Sequence, residues 1–292
     1  IAIAPALRYF RGMNILAIGY GDIAQRAARL LTADGHHVVG VCRHPDNKPH
    51  INGVELIAAD AGNEQDLKKL LYRREYGAIL VTLTPSEYSA EGYRQGYVVP
   101  CRHLQHVING LDYSPYVIYL SSTGVYGQQQ GEWVDEDSPT KPASDAGKML
   151  LQAERLIADL PVTSTILRCS GIYGEGRDFL LRQLQQHNVT LRDSWTNRIH
   201  QDDVARFIEF IVKNPEKRAP LYLLSDDAPT KQYEVYQWLA HQLQLEVSSE
   251  VEPGPGPRGS KRCNNKKLRA SGFSLKHPDF KSGYQAMLKD SL

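Results

Sequence analysis

Short apolar runs alternate with longer amphipathic stretches along the first half of the chain. Asn14-Ile-Leu-Ala-Ile-Gly19 predicts a short buried strand, followed by a glycine turn and a helix from about Asp22 to Ala33. His37-Val-Val-Gly-Val-Cys42 predicts a second strand, Leu56 to Ala59 a third and Ala78-Ile-Leu-Val-Thr-Leu83 a fourth. Tyr116-Val-Ile-Tyr-Leu120 and Thr165-Ile-Leu-Arg168 complete the series as a fifth and a sixth. Helices are expected over 65–74, about 91–109 and 146–160. Apolar runs separated by amphipathic helices predict an α/β fold, a doubly wound parallel sheet covered on both faces. Pro253-Gly-Pro-Gly-Pro-Arg-Gly259 marks a loop in which regular structure is forbidden.

Composition narrows the function classes. The 292 residues are enough for one large α/β domain, or for a domain with a smaller lobe. A formal charge of +1, from 34 basic and 33 acidic residues, gives no sign of a nucleic-acid surface. No apolar run approaches the roughly 20 residues that span a bilayer. Cys42, Cys101, Cys169 and Cys263 are widely spaced, so they read as reduced thiols in a cytoplasmic protein, with no metal framework. Residues 1–12 precede the first strand and are read as an extension outside the fold.

Gly19-Tyr20-Gly21-Asp22-Ile23-Ala24 follows a strand and opens a helix, the setting a dinucleotide-binding turn requires. The first glycine permits the tight turn, the second lets backbone approach a pyrophosphate, and helix-start N–H groups face the phosphates. The bland alternative is a tight strand-to-helix turn. The second strand ends Val41-Cys42-Arg43-His44 without a carboxylate. Arg43 suits a 2′-phosphate, which favours NADP with NAD as the alternative; a solvated surface arginine is the competing reading. Asp60 is placed to meet the adenine edge, and Thr82 and Thr84 to pass beneath the ribose.

Ser121-Ser-Thr-Gly-Val-Tyr-Gly127, Trp133-Val-Asp-Glu-Asp-Ser-Pro139 and Leu167-Arg-Cys-Ser-Gly-Ile-Tyr-Gly174 occur in order, followed by Arg198-Ile-His-Gln-Asp-Asp-Val-Ala205. Ser260-Lys-Arg-Cys-Asn-Asn-Lys-Lys-Leu-Arg269 with Gly272-Phe273 completes the set. Together these resemble the extended short-chain dehydrogenase/reductases, the superfamily of nucleotide-sugar epimerases and dehydratases, over nearly everything from Met13 onward. Two departures narrow the resemblance: the glycine motif is GxGxxA, and the tyrosine expected four residues before Lys148 is Ser144. None of the 16 tyrosines has a lysine four residues later. The combination is similar to the atypical, YeeZ-like subgroup.

The resemblance implies hydride transfer to or from a nicotinamide, paired with a proton exchanged through the family's tyrosine. Lys148 would hold the nicotinamide ribose, Thr123 or Ser122 would orient the reacting oxygen, and Ser170 would lie beside the cofactor. Ser144 is a poor acid on a short arm, so Tyr126, Tyr173 and Asp145 become candidates, with Tyr126 leading. Each also has a structural reading, Asp145 as an ordinary helix-start residue. Arg198 is expected to contact substrate, whereas His200 and Asp203 are expected to tie the second lobe to the sheet. Arg262, with Arg258 and Lys261, faces either an anionic substrate or solvent.

These readings give a Rossmann domain from 13–167 with returning segments near 200–225, and a smaller substrate lobe from about 168–199 and 226–292. The expected activity is that of an NAD(P)-dependent oxidoreductase or epimerase/dehydratase acting on a small polar, sugar-nucleotide-like substrate, in a homodimer. The alternative is a non-catalytic NADP-binding regulator or redox sensor.

Overall fold

The computed structural model describes residues 12–256 and 259–289. Arg258 and residues 1–11 of the proposed extension therefore lie outside the described residues. Seven strands form one parallel sheet: β1 (Asn14–Ile18), β2 (His37–Cys42), β3 (Val54–Ala58), β4 (Ala78–Val81), β5 (Tyr116–Ser122), β6 (Ser164–Cys169) and β7 (Leu221–Leu224). Their spatial order is β7-β6-β5-β4-β1-β2-β3. The chain reverses direction across the sheet between β1 and β4, and a ligand crevice is expected outside the strand ends at such a point.

Both sheet faces are covered, which is why β1, β2 and β4 are almost uniformly apolar. On one face lies α1 (Asp22–Ala33), whose Ile23, Ala24, Ala27, Ala28 and Leu31 form the buried stripe. Beside it packs α6 (Gln201–Lys213); the small alanines of α1 allow close approach to both sheet and helix. On the other face lie α2 (Glu64–Arg73), α3 (Val99–Ile108) and α4 (Asp145–Ala158). A fully buried leucine such as Leu31 contributes roughly 1.5–3 kcal/mol.

The helix expected over 91–109 is interrupted. A turn of α-helix at Ala90–Tyr93 passes through a π turn, Arg94–Val98, before α3 begins. Pro100 has no N–H for the carbonyl four residues earlier, and the wider turn absorbs that misfit.

A separate apolar cluster, including Tyr173, Leu184, Leu191, Tyr236, Phe280 and Tyr284, forms around α5 (Phe179–Gln185), α7 (Gln232–Leu243) and α9 (Phe280–Lys289). The short helix α8 (Lys266–Ala270) packs back on β7. Two-stranded parallel ladders join distant segments: Gly171–Tyr173 pairs with Arg198–His200, and Glu132–Val134 with Lys261–Cys263. Among the described residues no helix is long and apolar enough to cross a membrane.

Candidate active site

The glycine turn sits at the reversal point. Gly19 has φ +84°, and a Cβ there would lie 2.9 Å from the Thr82 carbonyl oxygen, so both conformation and space demand glycine. The Thr82 hydroxyl donates to the Gly19 carbonyl at 2.6 Å and locks the turn to the end of β4. Gly21 differs. Its φ is −87°, and among the described residues, its chain neighbours aside, the nearest heavy atom to an added Cβ is the Gly19 oxygen at 3.9 Å. Neither strain nor crowding inside the protein requires glycine here, and the space above it is open. No side chain caps α1, so its first N–H groups point into that space. The arrangement fits a dinucleotide pyrophosphate.

The neighbouring residues can serve only through backbone. Tyr20 is buried against Gly40, and its N–H is bonded to the Val41 carbonyl. The Ile23 side chain belongs to the core. The Asp22 carboxylate is held by Arg26 at 2.9 Å and Arg177 at 3.2 Å, which offset its charge. Arg43 is exposed at the end of β2 and has no ion pair among the described residues. Asp60 is exposed and spends one carboxylate oxygen on the Gly62 N–H at 2.8 Å. Thr84 is exposed beyond β4.

At the end of β5 the chain enters a tight turn, Thr123–Val125. The Ser122 side chain caps it by accepting from the Gly124 N–H at 3.1 Å. Thr123 is largely buried, and its hydroxyl has no partner among the described residues. The first turn of α4 presses on this turn through Gly147, where a Cβ would lie 2.5 Å from the Gly124 oxygen. Lys148 follows directly, half-exposed and paired with Asp145 at 3.1 Å.

Ser144 is the N-cap of α4: its hydroxyl accepts from the Gly147 N–H at 3.1 Å. That oxygen stabilises a helix end. Tyr126, the leading alternative acid, is also engaged. Its hydroxyl donates to the Asp135 carbonyl at 2.6 Å and accepts from Arg168 at 2.9 Å, and burial pushes its pKa up to about 12. Arg168 in turn grips Glu154 at 2.7 Å, and Ser121 donates to the same carboxylate at 2.6 Å. This buried network holds β5, β6 and α4 in register beneath the turn. Tyr126 is part of that brace, and its proton is not offered to a substrate.

The residues expected to meet substrate from the second lobe are mostly turned inward. Arg198 is only 7% exposed; it donates to Thr196 at 3.0 Å, lies over the Phe280 ring and is hydrogen-bonded to Tyr284. It has no exposed guanidinium for a substrate phosphate. Tyr173 is stacked on Tyr284 with centroids 4.7 Å apart, and Gly283 is glycine because a Cβ would strike the Tyr173 hydroxyl. Burial raises its pKa far above the usual tyrosine value. Ser170 is buried with an unpartnered hydroxyl just beyond β6. Arg262 is half-buried between the Trp133 and Trp195 rings, 4.8 and 5.1 Å from their centroids, and donates to the Gly131 carbonyl at 2.7 Å.

His200 caps α6 through Nδ1, which accepts from the Asp202 N–H at 3.2 Å. Burial and the neighbouring His277 lower its pKa to about 4. Asp203 is fully buried and accepts from the N–H groups of Lys276 and His277 at 2.7 and 2.9 Å, joining α6 to the C-terminal segment. Nothing in the sequence marked Asp226, which is sealed behind Arg198 with one carboxylate oxygen unpartnered. Burial raises its pKa to about 8, although Arg198 opposes the shift.

Comparison with known proteins agrees with this geometry. A family model described as NAD(P)H-binding matches residues 19–215. The protein YeeZ of Escherichia coli K12 is 28% identical over 277 residues, spanning 91% of this chain and 97% of that protein. A solved structure from Methylobacillus flagellatus, provisionally named an NAD-dependent epimerase/dehydratase, is 34% identical with a TM-score of 0.82. That match covers 96% of this chain and 98% of the other. WbmG of Bordetella bronchiseptica, solved with NAD, shares 14% identity and a TM-score of 0.80 over 97% and 95% of the two chains, a likeness of fold. The chain belongs to the NAD(P)H-binding family, in the atypical, YeeZ-like branch of the short-chain dehydrogenase/reductase fold.

Proposed function

We propose that the protein is an NADP-preferring oxidoreductase of the epimerase or dehydratase kind, acting on a small polar substrate of the sugar-nucleotide type. The observation that carries this reading is the open space over Gly21 at the uncapped start of α1. A glycine that the protein itself does not need is explained by a phosphate that needs the room. Arg43, exposed at the end of β2 and without an ion pair among the described residues, supports a 2′-phosphate partner. When bound, the cofactor supplies or accepts a hydride. Thr123 orients the reacting oxygen with its unspent hydroxyl, and Lys148 binds the nicotinamide ribose while leaving its pairing with Asp145.

Titration with NADPH and NADH tests the cofactor preference: Arg43→Glu should abolish the preference for NADPH, and an unchanged preference would overturn it. A screen of sugar-nucleotide, aldehyde and ketone substrates should give turnover that depends on Lys148.

The second reading, a cofactor-dependent regulator without chemistry, is favoured by Ser144, whose oxygen caps a helix, and by Tyr126, whose hydroxyl proton is bonded within a brace. Binding of NADPH without turnover, together with a cofactor-dependent protein interaction, would select it. A homodimer through α3 and α4 belongs to the same proposal. Their exposed faces carry Arg102, His106, Gln152 and Arg155, so the interface would be polar and weakened by salt.

A further inference from the structure

The proposed function assigns an orienting hydroxyl to Thr123 and a ribose contact to Lys148, but names no proton donor. Among the described tyrosines, most hydroxyls are hydrogen-bonded within the protein or, like Tyr20, Tyr76 and Tyr119, sealed in the core. Tyr88, Tyr93 and Tyr97 are left, and all three lie on the segment that follows β4. This segment packs against α4.

The register of the two helices places Tyr93. Tyr97 packs on the cluster of Val125, Tyr126 and Leu150, together with Leu151. Tyr93 precedes it by one turn, about 6 Å nearer the carboxyl edge of the sheet. The two rings are parallel, 5° apart in plane with centroids at 6.3 Å, so Tyr93 lies on the same side as Tyr97. One turn before Leu150 and Leu151, α4 has Ala146 and Gly147, next to Lys148 and against the Thr123 turn. The segment is held firmly. Ser89 caps it through the Gly92 N–H at 3.0 Å, and Gly96 sits where a Cβ would meet Pro85 at 2.6 Å. The π turn that accommodates Pro100 begins immediately after Tyr93, so the widened turn lies directly beside this residue.

We propose that Tyr93 supplies the proton exchange that Ser144 cannot, as a catalytic residue reaching the Thr123–Lys148 site from the opposite helix. The inference rests on the proposed hydride-transfer reading. In the reducing direction the substrate carbonyl carbon accepts the hydride and its oxygen takes the Tyr93 hydroxyl proton. The products are the alcohol and the oxidised nicotinamide, and the Tyr93 phenolate recovers its proton from solvent. Tyr97 supports the Tyr93 ring from below, whereas Tyr88, 89% exposed, stands outside.

Ultraviolet difference titration of tyrosine ionisation, with and without NADP⁺, tests the assignment apart from turnover. The oxidised nicotinamide and Lys148 are both cationic, so the cofactor should bring one tyrosine's ionisation to lower pH. That signal should disappear in Tyr93→Phe, which keeps the stacked ring, and persist in Tyr88→Phe. Both variants should bind NADP⁺ as the wild type does, and Tyr93→Phe should lose turnover by about 10²–10⁴-fold. If the wild type binds NADP⁺ but the titration signal and turnover survive in Tyr93→Phe, this assignment falls and the cofactor reading stands. If the wild type binds no nicotinamide cofactor, both fall.

Discussion

The carboxyl edge of the sheet and the buried seam between α6 and the C-terminal segment use similar residues in opposite ways. At the edge, Gly21, Arg43, Thr123 and Lys148 keep open space, free donors or weak exposed pairings. At the seam, Arg198, Tyr173, His200 and Asp203 have burial and partners that commit them to packing. A polar side chain with its bonds already made inside the protein holds shape. One with bonds left over is available to a ligand. The functional motifs of the chain are divided between these two conditions, and motif identity alone does not reveal which applies.

The contrast can be broken most severely just beneath the edge. Arg168→Ala leaves the Glu154 carboxylate buried and unpaired, and should cost about 3–5 kcal/mol in urea unfolding. A loss below about 1 kcal/mol would show that the network does not brace the site. Next is Gly21→Val, whose added Cβ would meet the Gly19 oxygen only at 3.9 Å. Stability should hold within about 1 kcal/mol while NADPH affinity falls by roughly two orders of magnitude, near 2.8 kcal/mol. Equal losses in both would mean that the open space is not the ligand's.

At the seam, pH separates two buried groups. The folded pKa of Asp226, about 8, lies above its unfolded value near 3.8, so its stabilising contribution is complete below pH 4 and is lost as pH rises toward 8. His200 runs the other way. Its folded pKa of about 4 lies below 6.5, so its contribution is present above pH 6.5 and is lost as pH falls toward 4. Asp226→Asn should therefore flatten the fall in stability between pH 6 and pH 8 by up to about 1.4 kcal/mol per pH unit. Chemical denaturation across that range measures it, and an unaltered slope would show that Asp226 is already ionised. The smallest effect is expected at Ser144→Ala, which removes a helix cap at about 1 kcal/mol. A thermal shift consistent with that value and unchanged cofactor binding would assign Ser144 to the helix; weakened NADPH binding would return it to the site.

Six strands of the sheet are legible because each is an apolar run bounded by turn residues, and the glycine turn because Gly19 and Gly21 follow one of them directly; the seventh strand, Leu221–Leu224, falls in the segment that the sequence assigns to the domain without marking a strand. The π turn at 94–98 was not legible, since Pro100 is its only local mark in an otherwise regular helical pattern. Ser144 was read as a missing tyrosine, although Ser144-Asp145 also carries the signature of a helix start; its cap role explains the serine without reference to chemistry. Tyr126, Tyr173 and Arg198 were read as site residues because they lie in family motifs. Their partners, Arg168, Gly283 and Tyr284, come from distant segments, and only the folded chain brings them together. Asp226 gave no signal at all, because burial is a property of its surroundings.

The ladder between Glu132–Val134 and Lys261–Cys263 has a consequence for assembly. Arg262 and its acceptor Gly131 are 131 residues apart in sequence. Closing a loop of that length is slow compared with pairing neighbouring strands, so the ladder should be among the last contacts to form. During synthesis the strands that carry the glycine turn and Thr123 leave the ribosome long before the segment that fastens the loop beyond them. The nascent domain would thus be able to hold its cofactor before its substrate side is closed, and ligand present at that stage would stabilise the half-built protein by mass action.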